Sequence, residues 1–340
     1  MDLRSLQQAL LNPATYPEHP VKVEFSETHI SLLFFTENYV YKVKKPVDFG
    51  FLDFTTLEKR RFYCHQEVEL NRRLSTDVYL GVVEISKEDG GISLDGKGRV
   101  IEYAVKMRRI SEDVLMSRFI EQGKITEEMI ARVAEKLTSF YVAAETNEEI
   151  NSYGKPERIR QDTDENFHQT RTYIGLTISR RAFEAIQGAT NAFLRKKRAS
   201  FERRIEEGKI RDCHGDLRSE HIYLGDEILI IDCIEFNRRF RYTDVAADIG
   251  FLAMDLDYRG RRDLSKHLID SYIRMSGDRD VLEVLDFYKC YRAYVRGKVE
   301  NFRLDDPNIS PGEKEEALRR ARRFFRLSSG YAAGLLTNGR

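Results

Sequence analysis

The sequence predicts an α+β fold in which a small antiparallel β-sheet lobe with one main helix is followed by a larger helical lobe. Three observations carry that expectation. Strand-like alternation is confined to roughly the first third of the chain, one amphipathic helix interrupts it, and helical periodicity dominates afterwards. The expected division is 1–110 for the β-rich lobe and 111–340 for the helical one.

Taken in order, Val21, Val23 and Phe25 alternate with Lys22 and Glu24, and the runs ISLLFF and YVYKVK follow across short polar breaks. From about residue 55 to 74 the pattern turns helical, with Tyr63, Leu70 and Leu74 on one stripe and Thr55 or Thr56 as N-cap. LGVVEI and VIEYAVKM are strand-like again, and the polar EDGGISLDGKGR between them reads as a hairpin loop. Its Gly91, Gly96 and Lys97 match the spacing of a phosphate-binding loop. Gly98 replaces the required Ser or Thr, however, and a strand follows instead of a helix, so that assignment is rejected.

In the second half Thr126 caps a helix whose Val133, Leu137, Phe140 and Ala144 share a face. Residues 146–169 are strongly polar and read as a surface excursion, and 191–211 as a basic, helix-favouring stretch ending near Gly208. HIYL and EILIID flank Gly225-Asp226, a dipeptide suited to a tight hairpin. Lys289, Arg292 and Arg296 place basic groups near one face of a late helix. Such a run is either salt-bridged or turned toward an anionic substrate.

Composition narrows the function classes. Hydrophobic residues make up 41% of the 340 and charged residues 33%, as in a globular protein. Basic and acidic residues total 56 each, so no net field favours nucleic acid or an anionic membrane. Cys64, Cys213, Cys233 and Cys290 are scattered, without zinc or disulfide spacing. No apolar run approaches the ~18 residues of a membrane span, and the expected compartment is the cytoplasm.

The chemistry concentrates at His214-Gly215-Asp216-Leu217, followed by His221 and by an apolar strand ending at Asp232. With Gly225-Asp226 as a two-residue turn, Leu224 faces Glu227 and His221 faces Ile230. His221 and Asp232 then lie diagonally on one face, about 7 to 8 Å apart, where both could approach one metal ion. Phosphoryl transfer needs a carboxylate for the attacking hydroxyl and separate ligands for the metal, and Asp216 and Asp232 can fill these roles. The spacing equals that of the kinase catalytic loop H-R-D-x-x-x-x-N, with Gly215 for the arginine and His221 for the asparagine.

The first lobe offers an independent sign. Glu67 falls on the apolar stripe of the 55–74 helix, where a carboxylate is costly to bury without a cation. Lys42 on the preceding strand supplies one, in the lysine and glutamate pairing that positions nucleotide phosphates in kinases; Lys44 is the alternative. Val40, on the same strand face, would lie under the adenine, and the backbone from Met107 onward would meet the nucleotide.

At these residues the chain resembles the aminoglycoside phosphotransferase family, and within it a branch carrying the blocks seen here as VYKVKKPVDFGFLDFTTLEKR from Val40, HGDLRSEHIYL from His214 and IDCIEFN from Ile231. The resemblance runs from about residue 20 to 300. It implies a two-lobed protein-kinase-like fold, ATP with magnesium or manganese, Lys42 on the phosphates, Asp216 as base, Asp232 as metal ligand and Asp248 as a structural aspartate. The implied activity is phosphorylation of a hydroxyl on a small molecule. Two departures keep a nucleotide-binding regulatory module as the alternative: Ser26–His29, where a phosphate-covering loop belongs, has no glycine, and His221 stands where asparagine is usual.

Overall fold

A computed structural model describes residues 2–88, 91–307 and 309–337. Along the chain, α1 (Leu3–Leu10) precedes strands β1 (Glu24–Glu27), β2 (Ser31–Phe35) and β3 (Tyr39–Lys44), then α2 (Leu57–Arg72) and strands β4 (Tyr79–Glu88), β5 (Gly91–Leu94) and β6 (Arg99–Arg108). Helices α3 (Met116–Glu121), α4 (Glu127–Ala143), α5 (Glu148–Ser152), α6 (Pro156–Thr170), α7 (Arg180–Lys196) and α8 (Arg198–Glu206) follow. Short strands β7 (Ile210–Asp212), β8 (Ile222–Leu224) and β9 (Ile228–Ile230) lead to α9 (Arg238–Arg241), β10 (Tyr242–Asp244), α10 (Val245–Tyr258), α11 (Arg262–Ser276), α12 (Val281–Asp305) and α13 (Pro311–Thr337).

The chain divides into two compact units. One comprises the residues through Arg118 together with His221–Arg238; the other comprises Phe119–Glu220 and the residues from Arg239 onward. No single cut of the chain separates them, because the β8–β9 hairpin and the segment after it group with the β-rich unit.

In the first unit six described strands form an antiparallel sheet in the order β1-β2-β3-β6-β4-β5, and β8 and β9 pair separately. One core cluster gathers Leu32, Phe34, Tyr41, Val43 and Ile85 with Leu6 and Leu10 of α1. A second, on α2, joins Val40, Cys64, Val68, Tyr79, Val105 and Met107, with Leu229 and Ile231 packed against it. Thr56 caps α2 by accepting from Lys59 N. Strand β5 was not expected from sequence. Ile92 and Leu94 alternate within the polar segment and pair with an extended β4, while Asp89 and Gly90 of that segment lie outside the described residues.

In the second unit Thr126 caps α4 by accepting from Met129 N. The polar stretch 146–169 is not a surface excursion. It forms α5 and α6, and α6 buries Ile159 and Phe167 along with Thr163, Asn166 and Thr170, whose polar side chains masked the core face. The basic stretch after residue 191 is likewise two helices broken at Lys197. No described helix is long and apolar enough to cross a membrane, and all four cysteines are buried and outside any disulfide.

Candidate active site

Strand alternation sends Lys42 and Lys44 from β3 to the same side, and α2 brings Glu67 to meet both. Lys42 Nζ lies 2.7 Å from Glu67 Oε1, an ion contact outside hydrogen-bond angles, and Lys44 Nζ donates to Glu67 Oε2 at 2.7 Å. Lys42 also donates to Asp232 Oδ1 at 2.8 Å, and Lys44 pairs with Glu235. The two candidate lysines therefore do not compete. They form one ladder, Asp232–Lys42–Glu67–Lys44–Glu235, whose inner rungs are buried while the Asp232 side chain is 46% exposed.

The ladder sets its own protonation. Burial alone would lower the Lys42 ammonium, but Asp232, Glu67 and Glu235 outweigh it and hold the group well above the ordinary lysine range. Lys44 is raised by the same balance, with Glu235 and Glu67 overcoming burial. Burial pushes Glu67 up, and the two ammonium groups reverse this, so it ends below the usual glutamate value. Burial raises Glu235 and Glu67 adds to the rise, which Lys44 and Lys42 oppose without reversing.

The hairpin register differs from the expected one. Leu224 pairs with Ile228 and Ile222 with Ile230, so the turn holds three residues, Gly225 to Glu227. This register buries four apolar side chains on one face and leaves Glu227 exposed, whereas a two-residue turn would have set Glu227 against Leu224. His221 consequently faces Ile231, whose N–H donates to the His221 carbonyl at 3.0 Å. His221 and Asp232 still converge, with Nε2 3.7 Å from Oδ2. A backbone turn at Asp232 (φ +63°) brings them together, not strand alternation. That left-handed conformation is uncommon outside glycine, and Asp tolerates it better than most residues.

Sequence reasoning missed the groups that seat this turn. Asn71 of α2 donates to the Glu67 carbonyl and accepts from Cys233 N, Ser75 bonds both N and O of Ile230, and the Tyr79 hydroxyl accepts from Asp232 N at 3.1 Å. Asn71 follows Glu67 by one helical turn, so a second polar residue on the apolar stripe was the available signal.

As for a metal, the described residues contain no group of three His, Cys, Asp or Glu side chains able to hold one. Of the pair that exists, the Asp232 carboxylate suits a hard cation that takes its remaining ligands from phosphate oxygens and water, as magnesium does with one or two carboxylates, whereas the His221 imidazole is a softer donor. Asp232 would hold it, with His221 alongside. Val40 pairs with Met107 across β3 and β6, and both sit within the apolar cluster that Leu33, Ile110, Leu229 and Ile231 border. At the turn between β1 and β2, the Thr28 hydroxyl accepts from both Ile30 N and Ser31 N.

The loop bearing Asp216 belongs to the second unit and is held by its backbone. Asp248 of α10 accepts from His214 N (3.1 Å) and Gly215 N (2.9 Å), and Tyr141 donates to the same carboxylate. Arg292 of α12 donates to the Gly215 carbonyl at 3.0 Å and to Ala247 O, while Asp255 accepts from Ser219. The Asp216 side chain is 26% exposed, and Arg218 grips its carboxylate at 3.1 to 3.3 Å.

No protein-family model matches the sequence. Two crystal structures are similar throughout. A choline/ethanolamine kinase family protein from Mesorhizobium loti matches 96% of this chain and 99% of its own at TM-score 0.52 and 11% identity. A protein named as an aminoglycoside phosphotransferase from Ralstonia eutropha matches 98% of both chains at TM-score 0.53 and 14% identity. The chain thus has the protein-kinase-like phosphotransferase fold. By sequence it is 34% identical over 311 residues to uncharacterised proteins of Mycobacterium tuberculosis and Mycobacterium bovis, an alignment covering 90% of this chain and 60% of theirs. The chain therefore spans less than two thirds of the length of these curated relatives.

Proposed function

We propose that this protein is an ATP-dependent phosphotransferase acting on a hydroxyl of a small molecule. The observation that carries the reading is the Lys42–Glu67 pair whose lysine also meets Asp232, because it sets a phosphate-binding cation beside a carboxylate fit for a metal. Lys42 would take the α- and β-phosphates, Val40 and the main chain near Met107 the adenine, and Asp232 with His221 the magnesium or manganese. The bound cation would neutralise charge on the phosphates.

Asp216 is assigned the acceptor. The substrate oxygen attacks the γ-phosphorus, the bond from that phosphorus to the β,γ-bridging oxygen breaks, ADP departs and the hydroxyl proton passes to the Asp216 carboxylate. Arg218, already on that carboxylate, orients it. Four buried cysteines outside any disulfide and the need for ATP agree with a cytoplasmic setting.

One observation favours a second reading, a nucleotide-binding regulatory module. The β1–β2 turn has its Ile30 and Ser31 N–H groups on Thr28, not directed outward to phosphate. Mass spectrometry after incubating the protein with ATP and a metabolite pool separates the two: a product heavier by one phosphoryl group, absent with Lys42→Ala, is expected. ATP-dependent thermal stabilisation without any transfer product would establish the regulatory reading instead.

A further inference from the structure

We propose that the acceptor carries an anionic group, a carboxylate or a phosphate, and that Arg296 of α12 binds it. The inference rests on the phosphotransferase reading and names its substrate class.

Around the Asp216 loop nearly every charge is matched. Arg218 is on Asp216 and Glu220, Arg259 is on Asp255 and Glu220, and Lys289 is 2.6 Å from Asp257. Arg292 is satisfied by main-chain carbonyls. Arg296 is not matched. Its Nη2 reaches Glu300 Oε1 only at 3.5 Å, the limit of a hydrogen bond, and its buried Nε has no hydrogen-bond partner among the described residues. Glu300 cannot neutralise it fully, because Arg320 Nε lies 3.1 Å from the other carboxylate oxygen and Arg303 Nε is 4.0 Å from it. Arg303 Nε is likewise without a hydrogen-bond partner. Three arginines draw on Glu300, and although Arg320 also donates to Glu316, Arg296 and Arg303 are left with Glu300 at 3.5 and 4.0 Å, so positive charge is left over.

That surplus lies beside the chemistry. Arg296 follows Arg292 by one helical turn, about 5.4 Å along the axis, and Arg292 touches the residue before Asp216. Burial first, and then Arg218, push the Arg296 guanidinium below its ordinary range, and Asp216, Glu300 and Glu220 offset this only in part. Its side chain is 18% exposed, enough for a small anion to reach it. A guanidinium with unused donors binds carboxylate or phosphate through paired hydrogen bonds, and a polycationic acceptor would be repelled at the same place.

The test uses probes that share a glycerol skeleton: glycerate and glycerol phosphate against glycerol and 3-aminopropane-1,2-diol. Binding is measured calorimetrically to the full chain with and without a non-hydrolysable ATP analogue, and ADP release is followed with ATP. Wild type should bind at least one anionic probe ~10-fold or more tighter than glycerol, with the amine weakest. The two anionic arms decide between carboxylate and phosphate. Arg296→Gln should remove that preference without weakening the ATP analogue, and Arg296→Lys should restore part of it. Glu300→Gln should tighten anion binding, a gain that misfolding cannot produce. Glycerol or the amine binding as well as the anions, no anion binding by wild type, an unchanged preference in Arg296→Gln, or weaker anion binding in Glu300→Gln would each overturn the proposal. Failure of the ATP analogue to bind would defeat the phosphotransferase reading instead, and the arm without nucleotide would still test Arg296.

Discussion

The two units hold their candidate reactive groups with a different balance of contacts. In the first, side chains hold side chains: Lys42, Lys44, Glu67, Glu235 and Asp232 neutralise one another in a chain of ion pairs. In the second, the Asp216 loop is held by its main chain, through Asp248, Arg292 and Asp255, and the Asp216 carboxylate meets Arg218 from that support. The contrast teaches that a group which must change partners can be placed by other charges, whereas a group which must stay aimed is placed by a clamped backbone.

The largest effect that would test this division is catalytic. Asp216→Asn should lower phosphoryl transfer by ~10² to 10⁴ while leaving ATP affinity nearly unchanged, since the loop does not depend on that carboxylate for its shape. Single-turnover kinetics beside calorimetry would check it, and loss of ATP binding would move Asp216 to the phosphate side. Next, Glu67→Gln should destabilise the protein by roughly 3 to 5 kcal/mol, because two buried ammonium groups lose their shared counterion. A urea midpoint close to wild type would show that the ladder is not the support of the first unit.

Lys298 sharpens the comparison from the other side. It is a buried lysine of the second unit held by the amide oxygens of Asn166 and Gln169, not by a carboxylate. Burial lowers its ammonium to about 8 from 10.5, with Glu165 acting against the shift and Arg239 reinforcing it. The folded state thus binds this proton more weakly than the unfolded one, so the penalty is full below about pH 8 and fades as pH rises toward 10.5. Lys298→Met should stabilise the protein at pH 7 by up to about 3 kcal/mol and remove that rise from the stability profile. A melting curve showing an unaltered rise would refute it. The smallest expected effect is that of Asp248→Asn, about 2 kcal/mol, because one of two backbone N–H groups keeps an acceptor. Amide exchange faster at Gly215 and unchanged at Ile231 would confirm that the clamp is local.

Much of this was legible in the sequence. Glu67 on an apolar stripe demanded a cation, which Lys42 and Lys44 supply, and the spacing from Asp216 to His221 and Asp232 suggested the chemistry proposed above. The Lys44–Glu235 rung was not legible, since those residues are 191 positions apart and neither carries a local signature. The hairpin register was misread because Gly225-Asp226 looks like a complete turn, and only the burial of Ile228 in preference to Glu227 adds the third residue. Helix α6 escaped notice because half of its buried face is threonine and asparagine, which composition scores as surface.

The contact between Lys42 and Asp232 makes nucleotide and cation mutual helpers on the proposed reading. Without ligands each group occupies the other, so a free cation meets a masked carboxylate and free ATP meets an engaged lysine. A polyphosphate that draws Lys42 away unmasks Asp232, and a cation on Asp232 releases Lys42. The factor by which ATP tightens the cation must equal the factor by which the cation tightens ATP. Lys42→Ala should reduce that cooperativity in paired titrations to the part that comes from the cation's own contact with the phosphates.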